Sequence, residues 1–404
     1  MITELEIEGF KSFGSPAEKL RPGALNFVVG ANASGKTNLL SALRFLQNAI
    51  RQDVEYAVND LGGNIEVRNK LLRQRREPKP VRFRIQLQGV DLTLPDKETK
   101  ISFDHFEYEV TLNLRGEENV PVIESEFLRA PLTRNGHQQV FTLKRDTSKV
   151  TIRGDPIRAE RSDTEDYPVP QQEATRLALG VGFFALPCVI LREEIGRWRF
   201  YNISPNMARQ PSREVPDIDL GPAGENLAVV LHKMEQDHNE KALDAIVTGL
   251  RGVVPGFKNI KTTRLPVEGK WAFQILEEKI RGAMNPASVS DGTIRLLALL
   301  VITTWMAKHS SLIAIEEPEN GVHPHLAEHI VEIIRTASQK HQFFITTHNP
   351  SFLDYLEPGE VILCDKEEGF TKLKHASDVV DIEQFRKHFC LGDLWTQGTL
   401  GGIP

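Results

Sequence analysis

The stretch NFVVGANASGKTNLLSAL, residues 26–43, decides how the rest of the chain is read. Four residues rich in apolar side chains, 26–29, lead into Gly30; the pattern Gly30-x-x-x-x-Gly35-Lys36-Thr37 follows, and helical spacing begins after it. Strand, glycine loop and helix in that order predict a phosphate-binding loop. Its glycines let backbone N–H groups close around β- and γ-phosphate oxygens, Lys36 adds a point charge there, and the Thr37 hydroxyl can ligate Mg²⁺. Kinases, GTPases, transporters, helicases and repair motors all use such loops, so the purpose of the nucleotide has to be read elsewhere.

The 404 residues suffice for two or three domains, or for one large α/β domain with insertions. With 40% hydrophobic and 26% charged residues and a net charge of -6, the whole molecule is not marked as a nucleic-acid or membrane binder. Cys188, Cys364 and Cys390 are far apart and form no Cys-x-x-Cys spacing, which argues against a zinc site or a disulfide framework and fits a reducing cytoplasm. The start, MITELEIEGF, alternates apolar and acidic residues as a half-buried strand does and lacks the pattern of a signal peptide. No apolar run approaches membrane-spanning length, LLALLVITTWMA at 296–307 included, so no membrane partner is expected.

Three further stretches carry chemistry. In SLIAIEEPENGVHP, 311–324, an apolar strand ends in Glu316 and Glu317. At the C-terminal end of a parallel strand one carboxylate can hold the Mg²⁺ shell and the next can polarise water; we assign Glu316 to the metal and Glu317 to the general base. In FFITTHNP, 343–350, a second apolar strand delivers His348, able to hydrogen-bond a γ-phosphate or the lytic water. In SVSDGTIRLL, 288–297, Ser290, Asp291, Gly292 and Thr293 open a helix. Ser or Asp there is an N-cap in any case; the sharper expectation is that this helix start meets a γ-phosphate bound by a second subunit.

The order GFKSF, GANASGKT, a long insertion, VSDGT, IEEPENGVHP and TTHNP resembles the ABC-type ATPase heads of the SMC, RecF and OLD group. More narrowly, the Glu-Glu-Pro-Glu form, YNISP at 201–205, GENLAVVL and LWTQGTLGGIP resemble stand-alone bacterial ATPases that carry the AAA label but are built like ABC heads, several of which act in anti-phage defence beside a Toprim-like nuclease or another effector. The resemblance implies that Gly30, Ala31, Asn32, Ala33, Ser34, Gly35, Lys36, Thr37 and Asn38 form the Walker A loop and Ser290 to Thr293 the signature loop. It further implies that Glu316 and Glu317 end Walker B, that 320–323 are the D-loop, and that His348 is the switch histidine. VSDGT stands for the usual Leu-Ser-Gly-Gly-Gln, Glu316 for the usual Asp, and Gln86 and Gln88 are the candidates for a Q-loop glutamine. Zinc hook, long arms and an acidic Toprim module are expected to be absent.

The fold class implied is α/β: a P-loop NTPase head of ABC type with a mixed or parallel sheet core, an inserted antiparallel β lobe and a helical lobe. Residues 1–60 would open the ATPase core, 61–170 form the β-rich lobe, 171–287 a mainly helical lobe, and 288–404 complete the core. After 288 the pattern alternates helix and strand, as a parallel sheet requires. The expected cofactors are ATP and Mg²⁺, and the expected partners are a second copy in a head-to-tail dimer or higher oligomer and an effector such as a Toprim-like nuclease. The basic run RNKLLRQRREPKPVRFR, 68–84, is either solvated surface or a nucleic-acid contact in the manner of a RecF-like clamp. A transporter subunit is disfavoured, because the β insertion leaves no ordinary coupling surface.

Overall fold

The computed structural model describes residues 1–401 except 74–78, 95–97, 115–119, 155–163, 171–172, 182–184, 215–218, 237–239 and 267. In chain order the principal elements are β1 (Ile2–Glu8), β2 (Leu25–Val29), α1 (Lys36–Arg51), α2 (Asp291–Thr304), β3 (Leu312–Glu316), α3 (Ala327–Ser338), β4 (Gln342–Thr347), β5 (Val361–Glu367) and β6 (Phe370–His375). The chain weaves through two compact units: Met1–Gly23, Asn32–Trp198 and Leu363–Lys374 make the first, and Ala24–Ala31, Arg199–Ile362 and His375–Pro404 the second.

The first unit is dominated by a ten-stranded sheet. Its main path runs Thr164–Pro168, Lys149–Arg153, His137–Arg145, Val122–Arg134, His105–Asn113, Val81–Gln88, β1 and Glu18–Leu20, with every neighbouring pair antiparallel. The period-two alternation in VRFRIQLQ and HFEYEVTLN is a burial alternation, one face inward and one outward. Phe10, Phe45 and Phe83 join the N-terminal turn, α1 and this sheet, with ring centroids 5.3 to 5.5 Å apart; each such aromatic pair adds about 0.5–1.5 kcal/mol beyond its area burial. Gln86 and Gln88 sit in the Val81–Gln88 strand opposite Glu107 and His105.

The second unit is built on parallel strands. β3 pairs with β4 and β4 with β2, all in parallel register. LNFVV and QFFITT are buried throughout and LIAIE is buried up to its last residue, as strands covered on both faces must be. Inside the buried strand β2, Asn26 donates its amide to the Phe343 carbonyl at 2.9 Å. α2 is buried on nearly every side from Ile294 to Thr303, the mark of a central helix. Between Ser212 and Met284 this unit carries a four-stranded antiparallel sheet beside the helices Leu227–Gln236 and Glu240–Val253, where helical periodicity dominated the sequence reading. Among the described residues no helix is long and apolar enough to cross a membrane.

Candidate functional site

The three parallel strands end level. Glu316 pairs with Thr346, Thr346 with Val28, and Thr347 with Val29. Gly30, Glu317 and His348 are each the first residue after a strand, so all three leave the sheet at one edge. That is the C-terminal edge, where open parallel sheets bind ligands.

Glu317 turns there in the left-handed region, with φ 45°. A non-glycine residue held so costs on the order of 1–3 kcal/mol, and such strain collects at functional sites. Its N–H donates to the Thr346 carbonyl at 2.9 Å, which anchors the turn. Its Oε2 accepts from Asn320 Nδ2 at 2.6 Å, and its Oε1 lies 3.3 Å from His348 Nδ1. The candidate base and the candidate sensor are therefore a contacting pair, both partly open to solvent.

Sequence reasoning passed over the third carboxylate, Glu319. It is 6% exposed, accepts from Thr347 Oγ1 at 2.5 Å and from the His348 N–H at 3.3 Å, and burial pushes its carboxyl above the usual range. It ties the 317–320 turn to the end of β4. The signal was the repeated acid in Glu-Glu-Pro-Glu, which spacing alone did not assign a partner.

At the start of α2, Ser290 is the expected N-cap: its hydroxyl accepts from the Thr293 N–H at 3.2 Å. Asp291 is exposed, and its carboxylate takes a 2.6 Å bond from Arg209, which also holds the carbonyls of Pro286 and Val289. A Cβ at Gly292 would stand 2.5 Å from the Gly321 carbonyl oxygen, so glycine here lets the helix start press on the 320–323 turn of the same chain. One turn further, Arg295 carries its charge beside Asp291, Glu319 and Glu317; burial lowers its pKa and these carboxylates oppose the shift.

In the first unit, Asn32 to Asn38 lead into α1. Ala33 and Gly35 are left-handed, with φ 63° and 121°. No side chain caps α1 at Gly35, so its first-turn N–H groups lack the cap that Ser290 supplies to α2. Lys36 is buried, Thr37 is exposed, and the Asn38 amide donates to Ser12 Oγ at 2.7 Å. Behind the loop, burial pushes the Cys364 thiol up to about 11, so it stays a neutral thiol. A cavity of about 360 Å³ opens beside Ser12, lined by Lys11, Asn38, Arg68, Lys366 and the pair Lys70–Glu66, 3.3 Å apart.

The basic run divides. Arg82 pairs with Glu8 at 3.2 Å, and Arg84 lies 3.8 to 3.9 Å from Glu107 and Glu6, so both are engaged in a charge ladder on the sheet. Arg75 and Arg76 lie outside the described residues.

With level parallel strands and a glycine loop opening a helix, the chain has the fold of a P-loop ATPase head of SMC/ABC type. The chain belongs to the family described as "AAA domain, putative AbiEii toxin, Type IV TA system", whose model matches residues 25–354. A stretch of 114 residues is 32% identical to the chromosome partition protein Smc of Clostridium kluyveri (strain NBRC 12016), covering 28% of this chain and 9% of that protein's length. The fold matches the crystal structure of an SmcHead bound to the C-winged helix domain of ScpA, with TM-score 0.53 at 14% identity over 92% of this chain and 97% of that one.

Proposed function

We propose that this chain binds and hydrolyses Mg-ATP, and that it does so as a head-to-tail pair whose state gates an effector, a nuclease of phage defence by the resemblance above. The observation that carries the reading is the level exit of Gly30, Glu317 and His348 from adjacent parallel strands. The residues suit the nucleotide. An uncapped helix start after a left-handed Gly35 presents N–H donors to an anion, and the basic cavity beside Ser12 suits the rest of the molecule. By the resemblance above, Thr37 and Glu316 would hold Mg²⁺, with waters and phosphates completing the shell. Bound there, Mg²⁺ would neutralise charge developing on the phosphates. Glu317, as a carboxylate, accepts the proton of water, while Asn320 and His348 orient it.

Lys36→Ala tests the nucleotide assignment. Calorimetry with Mg²⁺ present is expected to lose ATP binding in this variant; equal affinity in variant and wild type overturns the reading.

The pairing is carried by Ser290 and Asp291, exposed at a helix start. A Ser290→Arg chain is expected to bind ATP yet neither pair nor hydrolyse. Mixed with Lys36→Ala, it can form one composite site with an intact loop from one chain and an intact helix start from the other. Partial activity is then expected to return; full activity of Ser290→Arg alone sinks the assignment in trans.

A further inference from the structure

The β5–β6 hairpin turns at Glu368 and Gly369, both left-handed with φ 51° and 85°. The turn sets Thr371 against the phosphate loop of the same unit. Thr371 is 1% exposed, and its Oγ1 lies 2.7 Å from the Ser34 carbonyl oxygen and 2.6 Å from Ser12 Oγ. Ser12 Oγ in turn receives the Asn38 amide at 2.7 Å. A carbonyl only accepts, so the Thr371 hydroxyl donates to Ser34, with Ser12 Oγ, itself an acceptor for the Asn38 amide, packed beside it.

The bond to Ser34 acts on a peptide plane. In a trans peptide the carbonyl and the following N–H point in opposite directions. Holding the Ser34 carbonyl toward the hairpin therefore turns the Gly35 N–H away from it, and among the described residues that N–H has no acceptor. Gly35 has no freedom to be anything else: a Cβ would stand 2.1 Å from Thr371 Oγ1 and 2.9 Å from Ser12 Oγ.

We propose that Thr371 is a positioning residue of the phosphate loop: through Ser34 it sets the peptide whose Gly35 N–H is offered to the bound nucleotide, with Ser12 packed beside its hydroxyl. The proposal rests on the nucleotide reading above for its functional half, while the peptide orientation stands apart from it. It joins the C-terminal hairpin to the affinity of a loop near the N-terminus.

The test uses the full chain labelled with ¹⁵N-glycine, as wild type, Thr371→Val, Thr371→Ser and Ser12→Ala. The Gly35 amide resonance without nucleotide and the affinity for Mg-ATP are both measured. Thr371→Val keeps the side-chain shape without the donor. It is expected to move the Gly35 resonance and to weaken Mg-ATP binding roughly tenfold, the scale of one hydrogen bond, while Thr371→Ser restores both. Ser12→Ala is expected to move the same resonance by a smaller amount and decides the matter if Thr371→Val fails to fold. An unmoved Gly35 resonance in the folded variants, with or without a change in affinity, overturns the proposal. If the wild type binds no ATP, the nucleotide reading falls, and the resonance still reports whether Thr371 holds the peptide.

Discussion

Glu317→Gln is expected to bind Mg-ATP with the affinity of the wild type and to turn it over about 10²–10⁴-fold more slowly, the usual contribution of a positioned general base. The amide keeps the shape of the side chain and an acceptor for Asn320 Nδ2, which now reaches Glu317 Oε2 at 2.6 Å. It cannot take a proton from water. Single-turnover hydrolysis with the protein in excess, set beside binding calorimetry, separates the two effects. Turnover within a few-fold of wild type would remove Glu317 from the base role and shift attention to its neighbours, the 3.3 Å partner His348 and the buried Glu319. The left-handed backbone at Glu317 gives a second reason for caution with larger changes there, since Gln retains the side chain's bulk where a β-branched residue would add strain.

A different residue is expected to dominate stability. Glu126 is 1% exposed and lies opposite Arg145 across paired strands of the first unit. Its carboxylate accepts from Tyr108 Oη at 2.8 Å and from the N–H groups of Ala178 and Leu179 at 2.6 and 2.9 Å. Arg145 donates to the carbonyls of Glu173, Ala174 and Arg176. Together they fasten the 173–179 segment to the β lobe with opposite charges and backbone bonds. Glu126→Leu strands the buried guanidinium and two backbone donors, and a loss of about 3–5 kcal/mol in urea unfolding is expected. A loss below about 1 kcal/mol would show that the segment is held by packing alone.

The same carboxyl predicts a pH dependence. Burial raises Glu126 above its ordinary value in the folded chain. The folded state therefore binds this proton more tightly than the unfolded state does. The stability it contributes is complete below the ordinary carboxylate range and declines as pH rises through the raised folded value. Glu126→Gln, neutral throughout, is expected to flatten that part of the unfolding curve against pH.

Much of the site was legible in the amino-acid order because its parts are local. Gly30 to Thr37, Glu316-Glu317 and His348 are each a strand end with a few residues after it, and strand, loop and helix follow from periodicity and glycine placement within a dozen positions. The N-cap at Ser290 is local too, and the structure realises it with the Thr293 N–H. The antiparallel lobe was legible for a related reason: alternation of period two survives in the chain wherever one sheet face is buried.

What spacing could not supply were the pairings between residues far apart in the chain. Nothing around Thr371 marks it, because the Ser34 carbonyl it holds is 337 positions away and a threonine on a strand is ordinary. Glu126 reads as one more acid on a polar strand face until Arg145 and the 173–179 segment close over it. The level exit of three strands came from parallel register, which depends on how β2, β3 and β4 pack and not on any motif within them. Local order carried the chemistry of single residues, while the direction of their protons and the company of their charges came from the long-range hydrogen bonds that burial requires to be satisfied.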